Sequence, residues 1–231
     1  MAVSARKKVE LEHIIDDVHD HHINYFSREI YLHNKIEQDA EINYWMACNV
    51  IKNIHILSNQ NRLKSILIHM VSPGGCWYSG MSIFNTIRIC QNPITMVAYG
   101  QASSMSGIVL QAADKRIISK DCEFMIHHGS LDVSSTSQAA AAFIKMNEKN
   151  RQRMLEVFSK RALKTSKFFK EKNYDYSKIC LFIDNKIKKN GDWYLDAEEA
   201  LYYGFCDAIL GSKGNETLNL AQTNVKFKGE L

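Results

Sequence analysis

Apolar positions along the chain alternate between two rhythms. In QDAEINYWMACNVIKNIHIL (38–57) they recur at helical spacing. In SGMSIFNTIRIC (79–90), Met81, Ile83, Phe84, Ile87 and Cys90 share one side, so both stretches predict helices. Between them, SILIHMV (65–71) is a compact apolar run closed by SPGG, as expected of a strand that ends in a turn. ITMVAY (94–99) predicts a second strand, followed by a serine-rich turn and a small-residue helix, SGIVLQAAD (106–114). RIIS and CEFMIHH follow as strands, and the alanine run QAAAAF opens a long helix over 137–163. Strands alternating with helices predict an α/β fold, largely parallel, with ligands at the strand C-terminal ends.

This pattern is strongest over residues 26–210. Residues 1–25 form an amphipathic, charged arm, and the tail 211–231 is polar. With 231 residues, 45% hydrophobic and 23% charged, the chain suits one sizeable soluble domain. A net charge of +4 requires neither a nucleic-acid nor a membrane partner. No apolar run approaches the roughly 20 residues of a spanning helix, and charges interrupt any signal-like stretch near the start. Six scattered cysteines, without CxxC or zinc-ligand spacing, read as reduced thiols in a cytoplasm-like compartment. Cys76 stands apart because it follows two glycines. His19, His21 and His22 lack a further signalled ligand and read as a solvated segment, so no metal or cofactor is expected. Residues 160–189 hold ten Lys or Arg against three acids, interleaved with Phe168, Phe169, Tyr174 and Tyr176. At helical intervals these basic residues read as a solvated face on an added helical element.

Three stretches carry candidate chemistry. HMVSPGGCW ends a strand in backbone free of Cβ, able to approach a substrate and aim N–H groups at it; the plain alternative is a turn. GQASSMSG puts Ser104 where a helix begins, among unsatisfied N–H groups that favour an oxyanion. The plain alternative is that Ser103 or Ser104 only caps that helix. EFMIHHGS closes a strand with His127 and His128, at the same end of the sheet. A histidine there can take a proton from a serine and return it to a leaving amine; the alternative is a pair of surface histidines.

Together these stretches resemble the proteolytic subunit family of the Clp protease, within the crotonase-like superfamily. The resemblance spans about residues 26–210. It rests on SPGG followed by SGMSIFNTI, on GQASSM, on MIH with His127 twenty-three residues after Ser104, and on DWYLDAEEALYYGFCDAIL. It implies a superhelix of strand-strand-helix repeats with a projecting helical handle, about 134–165, and an extended basic segment over about 160–190. It implies Ser104 as nucleophile, His127 as general base and Asp192 as the acid orienting it. Gly75 and Met105 would supply the oxyanion-hole N–H groups, and Gly74, Gly129, Ser130 and Leu131 would bind substrate backbone. It further implies a homo-oligomer of heptameric rings, a peptide or unfolded-protein substrate and an AAA+ unfoldase partner.

The chain departs from the family at Val71, at Ser106, which would add a side chain beside the oxyanion hole, at Gly129 in place of a proline, and in a longer segment before Asp192. The arm up to Tyr25 does not match the family's axial loops. Two rivals follow: a catalytically silent ring or scaffold subunit, and an acyl-CoA enzyme of the crotonase type.

Overall fold

A run of parallel strands forms the middle of the molecule, and the first three of them, β2 to β4, are each followed by a helix. The computed structural model describes residues 5–33, 40–130, 134, 136–218, 226 and 231. Helix α1 (Ala5–His21) leads into an antiparallel pair, β1 (Ile23–Asn24) and β2 (Glu29–Leu32). Then come α2 (Tyr44–Gln60), β3 (Ile66–Ser72), α3 (Trp77–Ile89), β4 (Ile94–Ser103), α4 (Met105–Leu110), β5 (Lys115–Ile118) and β6 (Glu123–Ile126). The long α5 (Ser137–Thr165), short α6 (Lys167–Glu171) and α7 (Tyr176–Asn190) precede β7 (Trp193–Leu195), α8 (Ala197–Tyr202) and β8 (Ala208–Ile209).

The sheet runs β1-β2-β3-β4-β5-β8, parallel from β2 onward. The first five residues of β3 are all buried, as a strand covered on both faces requires. Besides β3, strand β4 serves two partners: Thr95–Ala98 pair with β5, whereas Gln101–Ser103 pair with β6. Gly100, at φ +65°, lies between the two halves, a conformation glycine adopts without steric cost. β6 in turn pairs antiparallel with β7. The predicted serine-rich turn is therefore strand through Ser103, because Gln101–Ser103 find this second partner.

Local signals agree with the helix starts. Asn43 caps α2, Thr136 caps α5 and Asp175 caps α7, each accepting from a backbone N–H three residues on. Asp196 and Glu199 form a reciprocal capping box on α8. The aromatics interleaved with the basic segment turn inward. Phe168, Phe169, Tyr174 and Phe182 stack among themselves and against Tyr203, while Lys167 and Lys178 stay exposed. The reading of 19–22 as a solvated segment fails at one residue. His22 is buried at φ +57°, its ring edge-on to His33, because the chain turns there from α1 into β1. Beneath the sheet, buried Arg116 donates to both Asp207 oxygens and to Gln111 Oε1, and Arg161 lies 3.5 Å from the same carboxylate.

Candidate active site

The end of β4 and the start of α4 hold Ser104 in a backbone conformation few residues accept. Its φ is +56° and its ψ −125°, a strained combination that costs about 1–3 kcal/mol and persists only where neighbours over-determine it. Those neighbours are visible: Ser104 N–H donates to Met125 O at 2.9 Å, and Ser104 O accepts from Ile108 N–H. As N-cap of α4, Ser104 makes no side-chain capping bond. Its hydroxyl instead lies 2.7 Å from His127 Nε2. Helix capping, the plainer reading of this serine, therefore does not account for it.

The pairing of β4 with β6 creates that contact. Ser103 lies opposite Met125, so the residues that follow, Ser104 and His127, emerge side by side at one sheet end. On the far side of the imidazole, His127 Nδ1 is 3.3 Å from Asp192 Oδ1. Asp192 follows Gly191, which ends α7 at φ +77° and turns the chain into β7. The Asp192 side chain is 45% exposed and His127 24%, so solvent reaches this pair.

The SPGG loop closes the other flank. Ile42 forms a bridge with Gly75: Ile42 N–H donates to Gly74 O and Cys76 N–H donates to Ile42 O. Gly75 itself sits at φ +137°, and a Cβ there would meet Ile42 O at 2.5 Å and Ile42 N at 2.6 Å. Gly75 lines a cavity of about 420 Å³ with Ser104, Met105 and His127. A Cβ on Gly74 would meet Ser104 Cβ at 2.7 Å, Ser103 O at 2.8 Å and Met105 N at 3.0 Å. Gly74 thus packs against the Ser104 turn, and only glycine fits. Gly80 has the same role from α3, since a methyl there would sit inside the Met105 side chain. Met105 and Gly75 thus border the cavity beside Ser104 from two separate chain segments.

Among the other predicted positions, Gly129 and Ser130 line the cavity, whereas Leu131 lies outside the described residues. Gly129 sits at φ +82° with open space around it; a proline, locked near −65°, has no place there, so the loop after His128 takes its own path. Val71 is exposed. Ser106 is fully buried, within hydrogen-bond distance of Ser72 O (2.8 Å) and Ser103 O (2.7 Å), between the SPGG loop and the Ser104 turn. Ser103 is buried too. Cys76 is exposed; burial pushes its thiol up, but hydrogen bonds from Ser79 and Tyr78 outweigh that and hold it below the usual range.

The cavity also takes in residues no sequence pattern pointed to. Met154, Asn150 and Arg151 reach it from α5, Trp77 from α3, and Ile42 fixes its rim through backbone bonds alone. Only their pairing across distant chain segments brings them there.

The Clp protease family profile matches residues 18–213. The chain belongs to the Clp protease family. Its relatives in the family include the ATP-dependent Clp protease proteolytic subunit of Deinococcus radiodurans, 26% identical over 168 residues, covering 71% of this chain and 74% of that protein. The subunit of the same name from Leuconostoc citreum is 28% identical over 182 residues, covering 77% of this chain and 82% of its own length. That from Streptococcus uberis is 27% identical over 171 residues. As a Clp protease family member the chain is a serine-type endopeptidase, and its mixed sheet with flanking helices is the family's α/β fold. Among the described residues, no helix is long and apolar enough to cross a membrane, and no group of three or more His, Cys, Asp or Glu side chains is arranged to hold a metal ion.

Proposed function

We propose that this chain hydrolyses peptide bonds of unfolded proteins or peptides through a Ser104–His127–Asp192 triad. The observation that carries the proposal is the continuous contact from Ser104 Oγ to His127 Nε2 (2.7 Å) and from His127 Nδ1 to Asp192 (3.3 Å), beside two candidate oxyanion donors. Ser104 Oγ attacks the carbonyl carbon as its proton passes to His127 Nε2. Asp192 accepts from Nδ1–H, which keeps that tautomer and stabilises the imidazolium. Gly75 and Met105 N–H groups bind the tetrahedral oxyanion, where one lost donor costs about 10²–10³ in rate. The imidazolium then protonates the leaving amine, and water, deprotonated by the same histidine, releases the acyl group.

We also assign Gly74, Gly129 and Ser130 to substrate backbone, since they border the cavity or the turn that forms it. A homo-oligomer of heptameric rings follows from the family, and the first turns of α5 support it. Phe143, Ile144 and Met146 are exposed there together, an apolar stretch that a monomer gains nothing by wetting. An AAA+ unfoldase is the partner this reading implies, and a cytoplasm-like compartment agrees with six free cysteines. Family membership favours neither the silent scaffold nor the acyl-CoA enzyme. Labelling with a fluorophosphonate probe, read by peptide mapping, tests the triad: one adduct on Ser104, absent in Ser104→Ala, is the expected result. A folded protein that takes no label overturns it.

A further inference from the structure

The acid of the proposed triad is exposed and follows a glycine turn, so something else must fix where α7 delivers it. Ile179, Ile183 and Ile187 seat α7 in the core, and one carboxylate on the same helix reaches the neighbourhood of the site. Asp184 lies on α7, buried, one and a half turns before the helix ends. Its Oδ1 is 3.0 Å from His128 Nε2, next in chain to His127, and accepts from Arg151 Nη1 at 2.7 Å, on α5. Its Oδ2 is 2.6 Å from Lys188 Nζ, one turn on along α7. Arg151 is held in turn by both oxygens of Glu148, at 2.9 and 2.6 Å. The group thus joins the end of the His127 strand, the handle helix and the helix that leads to Asp192.

We propose that Asp184 is a positioning residue, whose carboxylate fastens α7, and through it Asp192, to the strand end bearing His127 and to the handle. The proposal rests on the triad reading and adds to it a residue that touches neither substrate nor reacting atoms. The geometry separates this role from general stabilisation. Both partners outside α7 belong to the cavity wall, since His128 and Arg151 line the same cavity as Ser104. A carboxylate buried for stability alone would have no need to meet the site from two elements. Loss of the Asp184 charge releases α7 from His128 and Arg151, the latter still held by Glu148, and Asp192 drifts from His127.

The test compares wild type, Asp184→Asn, Asp184→Glu and Ser104→Ala as full chains. Turnover of a short fluorogenic peptide is measured beside the low-field proton resonance of His127 Nδ1–H, which reports its hydrogen bond to Asp192 without need of catalysis. In Asp184→Asn, kcat falls about 10- to 100-fold while KM stays within about two-fold. The low-field resonance weakens in that variant, persists in Ser104→Ala, and Asp184→Glu recovers much of kcat. An Asp184→Asn protein with wild-type kcat and resonance overturns the proposal. So does a fall in kcat that merely follows the folded fraction and is not recovered by glutamate. A wild type without turnover whose resonance still depends on Asp184 overturns the peptidase reading and leaves the positioning role standing.

Discussion

Ser106 Oγ lies 2.8 Å from Ser72 O, a hydrogen bond that joins the end of β3 to the first turn of α4 across 34 positions of chain. The same hydroxyl is 2.7 Å from Ser103 O. It therefore sets the spacing between the loop that offers Gly75 and the turn that offers Ser104 and Met105. Ser106→Ala leaves the two buried carbonyls without this donor, at a cost of about 1–3 kcal/mol. The thermal midpoint falls by about 2–4 °C per kcal/mol lost, and kcat falls with it as the two donors lose register. Calorimetry and peptide turnover on the same preparation check both.

Two glycines beside the site separate crowding from backbone strain. Gly74→Ala has no accessible conformation, with φ at +117° and Ser104 Cβ 2.7 Å from the new methyl. It displaces the nucleophile turn, and kcat/KM falls by about 10²–10³, the scale of a lost oxyanion donor. Gly129→Ala meets no protein atom within 4 Å and bears the cost of φ +82°, about 1–2 kcal/mol of stability, so the Ser104 turn stays in place and kcat falls far less than in Gly74→Ala. Equal losses in the two variants would contradict the packing described here.

The buried knot under the sheet centres on the Arg116–Asp207 pair. Burial pushes the Asp207 carboxyl up, but the Arg116 guanidinium, bonded to both its oxygens, outweighs that and holds it below the usual range. Asp207→Ala leaves Arg116, fully buried, without the carboxylate that its Nε and Nη2 bond. Breaking such a pair costs about 3–5 kcal/mol, visible as a large fall in denaturant midpoint and little soluble protein at 37 °C.

His128 gives the fold a pH dependence of definite sign. Burial, and then the nearby Arg151 charge, hold its imidazole below the ordinary 6.5, against the pull of Asp184. The unfolded chain therefore binds a proton that the folded chain resists. This contribution is fully present above 6.5 and is lost as pH falls from 6.5 through the lowered folded value. The thermal midpoint declines across that acid range, and His128→Gln, which cannot titrate, flattens the decline. A His128→Gln protein with an unaltered pH profile would show that other groups cause it.

Much of this protein was legible in local pattern. The alternation of apolar runs, the strand that ends in SPGG, the long alanine-led helix and the Asp196–Glu199 box each follow from side-chain periodicity or from a cap reaching three residues ahead, forces that act within a turn or a strand. The same local order put Ser104 at a helix start and His127 at a strand end. What no local pattern holds is which strand ends meet. The division of β4 between β5 and β6 places Ser104 against His127, and the Ile42 bridge holds the Gly74–Cys76 backbone in place. Burial of His22, the inward turn of Ser106 and the grip of Asp184 on three elements likewise depend on partners far along the chain. Local periodicity fixes elements because its contacts lie a few residues apart; the site's distances are decided by pairings whose partners only the folded sheet and handle bring together.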